Sequence, residues 1–331
     1  MRHRTAVFTV VGALCGVLAL ILALSADSTR ATPVATVAPV ATVTPTAPTA
    51  PTAPTAPTAP VTVFGHRGAP AHAPENTLGS VRAAADLGVE WVENDVQRTR
   101  DGALVVIHDT TLKRTTDAER RYPGRSPWAV GSFTLAEIEQ LDAGGWFGPG
   151  FRGERVPTLQ EYLSLLDRTG QSLLLELKQP ELYPGIERQT LDTLGRAGWL
   201  DGPHLTRRLI VQSFSAPALR TTHRLRPEVR TGFLGNVPLS RLGQYAAFVD
   251  EFNTEQRAVT SAYVRAVHAL RSPHGPRMRV NAWTVDSADA ARALVRRGVD
   301  GLITNRPDVI GRATGGRPLR PLRPARAPGF A

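Results

Sequence analysis

Glu93 and Asp95 stand two residues apart in an apolar run from Val89 to Val96. Alternate residues of a β-strand point to one side, so the two carboxylates share a face. Glu176 lies near the end of another run, Leu173 to Leu177. If the two strands are neighbours, three carboxylates meet in one pocket, and their repulsion calls for a cation. An all-oxygen set suits one hard divalent ion, Ca²⁺ or Mg²⁺, better than zinc. The competing arrangement pairs some of these carboxylates with buried Arg or Lys. Ligation is preferred, because a lone charge at Glu93, in mid-strand, would be costly to bury. His66 and His108 follow two further apolar runs, and each can take or give a proton near neutral pH. A pair of this kind is what phosphodiester cleavage needs: one takes the proton of the attacking hydroxyl, the other protonates the leaving alkoxide. Arg67 adds a planar fork that matches phosphate oxygens, and Lys178 adds a point charge beside the carboxylates.

Elements must bring these residues together. Strand candidates are Val61–Phe64, Val89–Val96, Leu173–Leu177, Leu209–Ser213, Val229–Phe233, Ala247–Phe252, Val280–Val285 and Gly301–Thr304. Helix-like segments lie between most of them: Asn76–Leu87, Leu159–Leu166, Ile186–Gly195, Tyr263–Leu270 and Ala288–Val295. Such alternation implies parallel strands joined by crossovers. One more strand, Ala103–Ile107, follows the tight-turn pair Asp101-Gly102 and is expected to fold back beside Val92–Val96. Setting it aside leaves the eight strands of an α/β architecture, the TIM (β/α)₈ barrel, whose strand ends converge on one face where active sites form. Thr110 to Arg155 breaks the alternation and reads as an insertion over the barrel mouth.

The 331 residues are 42% hydrophobic and 21% charged, enough for one large α/β domain at 61–311. The ends differ from it. Arg2, His3 and Arg4 precede an uncharged stretch from Thr5 to Ala26, the order of an export signal or an uncleaved membrane anchor, assigned to 1–31. Residues 32–60 form an Ala/Thr/Pro-rich linker with repeated Thr-Ala-Pro, a semi-rigid spacer. Residues 312–331 form a basic tail, expected to be disordered. Of the formal net charge of +10, residues 1–60 carry +2 and the segment beyond Ile310 carries +5, which leaves +3 for the foldable part. The basic balance is therefore no argument for nucleic acid as a partner. The only cysteine, Cys15, lies in the N-terminal apolar run and allows no disulfide within the chain. The expected location is extracellular, or anchored on the outer face of the cytoplasmic membrane with cell-envelope association. Oligomeric state is not legible.

Further pieces complete a wider pattern. His66-Arg67-Gly68, Pro74-Glu75-Asn76-Thr77, Glu93-Asn94-Asp95-Val96 and His108-Asp109 are followed by Arg114-Thr115-Thr116. Later come Leu175-Glu176-Leu177-Lys178, Gln212-Ser213-Phe214, Trp283-Thr284-Val285 and Asp300-Gly301-Leu302-Ile303-Thr304. In this order and spacing the chain resembles the glycerophosphodiester phosphodiesterase family, from about Val61 to Gly311. The resemblance implies a TIM barrel with a small insertion after the second strand. It implies a small-molecule glycerophosphodiester substrate, cleaved to glycerol 3-phosphate and an alcohol such as choline or ethanolamine. Glu93, Asp95 and Glu176 look like the metal ligands, and His66 and His108 like the acid–base pair. Arg67 and Lys178 look like the phosphate-holding groups. Glu75 and Asn76 occupy the positions that order the first loop, Asn76 as a helix N-cap or a pocket contact. Trp283 looks like an aromatic wall for the glycerol moiety, with barrel packing as the alternative.

Asn305 departs from the aspartate usual in that family, which alters a polar contact or helix cap at a strand end. Asn94 is a second polar oddity but is expected to face away from the ligands. Three other readings remain: a phospholipase-type enzyme with an apolar rim, a teichoic-acid phosphodiesterase, and a non-catalytic surface-binding module. The last requires a missing site residue, and none is missing.

Overall fold

The computed structural model describes residues 61–275 and 277–315. The export segment, the linker and residues 316–331 of the tail lie outside the described residues. Strands are β1 (Thr62–Gly65), β2 (Trp91–Arg98), β3 (Leu104–Val106), β4 (Ser172–Leu177), β5 (Leu209–Ser213), β6 (Thr231–Leu234), β7 (Glu251–Glu255), β8 (Arg279–Trp283) and β9 (Gly301–Thr304). All but β3 run parallel to their neighbours, and β1 pairs with both β9 and β2. Among the described residues a barrel of eight parallel strands therefore closes on itself, leaving no free sheet edge. β3 pairs antiparallel with the end of β2 as a hairpin, Val96 opposite Val106.

Strand alternation divides the chemistry. Val92 and Val96 of β2, with Leu173, Leu175 and Leu177 of β4, pack outward against Tyr162, Leu163 and Leu166 of the helix Leu159–Thr169. Asn94 shares this outward face, away from Glu93 and Asp95, as expected from the pleat. The inward residues include an apolar group, Phe64, Leu174, Ile210 and Ile303. Beside it runs a buried chain of amides. Gln212 donates to Glu93 (3.4 Å), Asn253 donates to Gln212 (2.7 Å), and Asn281 donates to Asn253 (2.8 Å).

That polar interior explains the largest error of strand placement. The apolar run predicted Ala247–Phe252, but the strand is Glu251–Glu255. Phe248 and Val249 are buried in the turn before it, and the strand itself reads Glu-Phe-Asn-Thr-Glu because its inward positions are polar. The helix expected over Asn76–Leu87 spans Leu78–Asp86, and its N-cap is Thr77, whose hydroxyl accepts from Ser80 N at 3.1 Å. Asn76 is not the cap. At the other end, the expected domain limit at 311 is overrun by a helix, Pro307–Ala313. Between β3 and the helix Leu159–Thr169 the chain leaves the barrel and builds its own small core, including Leu112, Val130, Phe133, Ile138 and Leu141.

The loop after β1 is tightly stitched. Ser80 Oγ donates to Arg67 O (2.9 Å) and accepts from Ala69 N (2.8 Å). Gly68 has φ +94°, and a Cβ there would stand 2.8 Å from the Ser80 Cβ and carbonyl carbon. Gly68→Ala should therefore lower unfolding stability by about 2–3 kcal/mol, measured by denaturant titration. A change below half a kcal/mol would mean the loop is looser than this packing implies.

Candidate active site

The C-terminal ends of the parallel strands carry the charged groups. β1 delivers His66 and Arg67, β2 delivers Glu93 and Asp95, β4 delivers Glu176 and Lys178, and the hairpin returns His108 to the level of Asp95. Asp95 pairs in register with Glu176, so their side chains share the inward face. Glu93, Asp95 and Glu176 each offer an oxygen within 4.8 Å of the others, and all three are buried. Arg67 N donates to Glu93 (2.9 Å), and Asn76 Nδ2 donates to Asp95 (2.8 Å). Lys178 Nζ lies 3.0 Å from Glu176 and 3.4 Å from Asp95, and Arg67 Nε lies 3.5 Å from Asp95.

The electrostatics are those of a crowded acidic pocket. Burial, then Asp95, pushes Glu176 up to about 8. Burial, then Asp95 and Glu176, pushes Glu93 well above the usual carboxylate range. Asp95 goes the other way: burial opposes ionisation, but Arg67 and Lys178 outweigh it and hold Asp95 at about 2. Burial, then Arg67, lowers His66 to about 4. His108 is also lowered, chiefly by burial.

His66, Arg67, Glu93, His108, Glu176 and Lys178 line one cavity of about 110 Å³, with Phe214, Leu234 and Trp283 on its apolar side. Trp283 stands edge-on to Phe214 at 5.7 Å, and its indole N–H donates to Asn253 O. Glu75 and Asn76 do not line this cavity. They lie beside a smaller one that also touches His108, with Glu75 between two guanidinium groups.

A match to the glycerophosphoryl diester phosphodiesterase family model spans residues 66–309, most of the chain. The chain belongs to that family. A glycerophosphodiester phosphodiesterase of Caldanaerobacter subterraneus is 33% identical over 256 residues, covering 75% of this chain and 95% of the relative. One of Bacillus subtilis is also 33% identical, over 74% of this chain and 83% of its own length. Among solved structures, an Oleispira antarctica phosphodiesterase in complex with the product sn-glycerol-3-phosphate matches with a TM-score of 0.65. It is 29% identical, over 78% of this chain and 98% of the other. This phosphodiesterase is thus a phosphoric diester hydrolase on a TIM barrel.

The phosphodiesterase pocket fits a hard divalent cation on its own chemistry. Asp95 Oδ1 and Glu176 Oε1 are buried and accept no hydrogen bond of good geometry, although Lys178 is near. Burial and mutual repulsion disfavour ionisation of Glu93 and Glu176, and added positive charge in the pocket would favour it.

Sequence reasoning gave no role to several residues that the fold places beside the site. Arg114 donates from Nε and Nη2 to Asp109 (2.7 and 2.9 Å) and from Nη1 and Nη2 to Glu75 (both 2.8 Å). Asp109 in turn pairs with His108 Nδ1 at 2.8 Å. Arg114 opens the Arg114-Thr115-Thr116 piece of the sequence pattern, but only the folded chain shows its four bonds. Arg114→Gln should lower kcat about 10- to 100-fold with a smaller change in KM, because it frees the partner that orients His108. Steady-state kinetics decides this, and an unchanged kcat would remove Arg114 from that role. Gln212 and Asp286 are the other additions, and Asn305, marked in the sequence as altering a polar contact, makes that contact here with His66. Asn305 Oδ1 stands 2.7 Å from His66 Nδ1, and its Nδ2 donates to Asp286 at 2.7 Å.

Proposed function

We propose that the phosphodiesterase hydrolyses glycerophosphodiesters to sn-glycerol 3-phosphate and an alcohol, with His66 and His108 as the acid–base pair. The observation that carries this reading is the shared cavity: two histidines from different elements, two cations and two of the three clustered carboxylates line one space. A Ca²⁺ or Mg²⁺ ion held by Glu93, Asp95 and Glu176 would supply positive charge to a phosphoryl oxygen. Arg67 and Lys178 hold the phosphate and oppose the charge that grows on it. One histidine takes the proton of the attacking oxygen, and the other gives a proton to the departing alkoxide. Trp283 provides a flat apolar wall for the glycerol carbons. The solved relative with bound sn-glycerol-3-phosphate supports this product. Residues 2–4, the apolar stretch to 26 and the Thr-Ala-Pro spacer support export, with the barrel outside the cytoplasm.

The test is release of sn-glycerol 3-phosphate from glycerophosphocholine by residues 61–331, with Ca²⁺, with Mg²⁺ and with EDTA. Turnover that disappears in EDTA is the expected result. A folded, ion-loaded protein without turnover on any glycerophosphodiester would reject the reading. One observation favours a lipid-bearing diester as a second substrate. The exposed large apolar residues among those described are Trp146, Leu182, Phe214 and Leu239. Leu182, Phe214 and Leu239 lie on segments that follow the C-terminal ends of β4, β5 and β6, and Trp146 lies in the insertion after β3. Release of choline from lysophosphatidylcholine, with lysophosphatidic acid as the other product, reads this alternative directly.

A further inference from the structure

His66 can work at only one nitrogen, and the surroundings of the other decide which. A neutral imidazole carries its proton on Nδ1 or on Nε2, and the nitrogen without it is the acceptor. The partner of His66 Nδ1 is the side chain of Asn305, 2.7 Å away. An amide presents two unlike faces, an oxygen that accepts and an NH₂ that donates. A carboxylate at this place could only accept, so Asn305 needs something to choose its face.

Asp286 makes the choice. Its Oδ2 accepts from Asn305 Nδ2 at 2.7 Å, a bond that only the NH₂ face can make. Its Oδ1 accepts from the backbone N–H of Asn305 (2.8 Å) and from Thr304 Oγ1 (3.1 Å), which fixes the carboxylate in turn. With Nδ2 committed to Asp286, Asn305 can offer His66 only its oxygen. The N–H of His66 is then on Nδ1. Nε2 is left with its lone pair on the cavity side, 4.0 Å from Glu93 Oε2.

We propose that Asn305, oriented by Asp286, is a positioning residue that fixes His66 in the Nδ1–H form, which makes His66 the proton acceptor of the reaction. This rests on the hydrolytic reading above and deepens it by dividing the two histidine roles. His66 Nε2 takes the proton from the attacking hydroxyl or water as its oxygen bonds to phosphorus. The bond from phosphorus to the leaving oxygen breaks, and that oxygen takes a proton from His108. Exchange with solvent returns both rings to their starting forms. Neither Asn305 nor Asp286 touches the reacting atoms.

The experiment reads ring nitrogens and turnover separately. In the full folded domain labelled with ¹⁵N-histidine, two-bond ¹H–¹⁵N correlation at a pH where His66 is neutral shows which nitrogen carries hydrogen. Wild type is expected to show the Nδ1–H pattern. Asp286→Asn frees the amide to turn, so the Nε2–H form should appear and kcat fall about 10- to 100-fold with KM little changed. The exchanged pair Asn305→Asp with Asp286→Asn keeps an acceptor facing His66 and a donor behind it. It should restore the Nδ1–H pattern and most of kcat, whereas Asn305→Asp alone sets two carboxylates against each other and should not.

Finding Nε2–H in wild type overturns the proposal. So does an Asp286→Asn protein with unchanged tautomer and kcat, or a folded exchanged pair that recovers neither. If Asp286→Asn does not fold, the wild-type spectrum and the exchanged pair decide alone. Because the spectrum needs no substrate, a failure of glycerophosphodiester hydrolysis would sink the proposed function without touching the tautomer.

Discussion

His66→Ala and His108→Ala are each expected to cut kcat/KM for glycerophosphocholine by about 10²–10⁴-fold, the usual worth of a positioned proton-transfer group. Both rings line the same cavity, and each has its Nδ1 held by an outer partner, Asn305 or Asp109, which leaves Nε2 for the reaction. Losing either ring stops one of two proton transfers that occur in a single displacement, so the double variant should fall little further than the worse single one. The pH profile adds a check. Burial and Arg67 hold His66 at about 4, so the ring is neutral and able to accept through the whole neutral range. A bound cation would depress it further. With the ion at concentrations that keep the carboxylates loaded at each pH, the acid limb of kcat/KM should therefore lie well below pH 6.5, where an unperturbed histidine would put it. Stopped or continuous assays from pH 4 upward read this limb. A loss of under tenfold in either single variant would remove that histidine from proton transfer.

A second large effect concerns stability and the ion. Glu176 sits at about 8 and Glu93 well above the usual range, against about 4.3 for glutamates in the unfolded chain. Between these values the ion-free folded protein binds more protons than the unfolded chain, so its stability must fall as pH rises from about 4.5 to about 8. Asp95, held at about 2, works in the opposite sense but only below pH 4, and does not offset this slope. The expected loss is on the order of a few kcal/mol across the window. Ca²⁺ or Mg²⁺ needs the ionised carboxylates, so it should raise Tm far more at pH 8 than at pH 5 and release protons on binding. Scanning calorimetry of EDTA-treated and ion-loaded protein measures both trends. A flat stability profile without the ion, or equal ion-induced shifts at both pH values, would show that the three carboxylates are not the ligands. Glu176→Gln should flatten the slope and lose most of the shift.

The sequence and the structure agree where burial leaves a pattern. The strands that carry the site read as apolar runs because their outward faces meet helices, so β2, β4 and the hairpin could be placed closely enough to gather Glu93, Asp95, Glu176 and His108. β7 could not, because its inward positions Glu251 and Asn253 are polar and its apolar neighbours Phe248 and Val249 belong to the preceding turn. Hydrophobic periodicity has no means of seeing a strand whose buried face is made of amides. Thr77 displaced Asn76 as the cap because Asn76 has φ +59° and its side chain is used by Asp95. Arg114 and Asp286 were beyond reach for another reason. Each acts through a second side chain, and only folded distances reveal such partners. Asn305 is intermediate: the sequence marked it as unusual, and the structure supplied the contact.

The interior amide chain has a consequence for how the barrel could be divided. All of the charged groups lining the cavity, from His66 to Lys178, lie in the first four strands and their loops. Gln212, Asn253 and Asn281, which brace Glu93 in succession, come from β5, β7 and β8. Asn305 and Asp286 also follow the last two strands. The charged reagents thus come from one half of the chain, while His66 and one oxygen of Glu93 are aimed by amides from the other half. A fragment ending after Lys178 would possess every charged reagent, but it would lose the Asn305 contact of His66 and the Gln212 contact of Glu93, keeping only the Arg67 N–H bond to Glu93. Complementation by a separately expressed second half would restore activity only as far as the two halves rejoin that chain of amides.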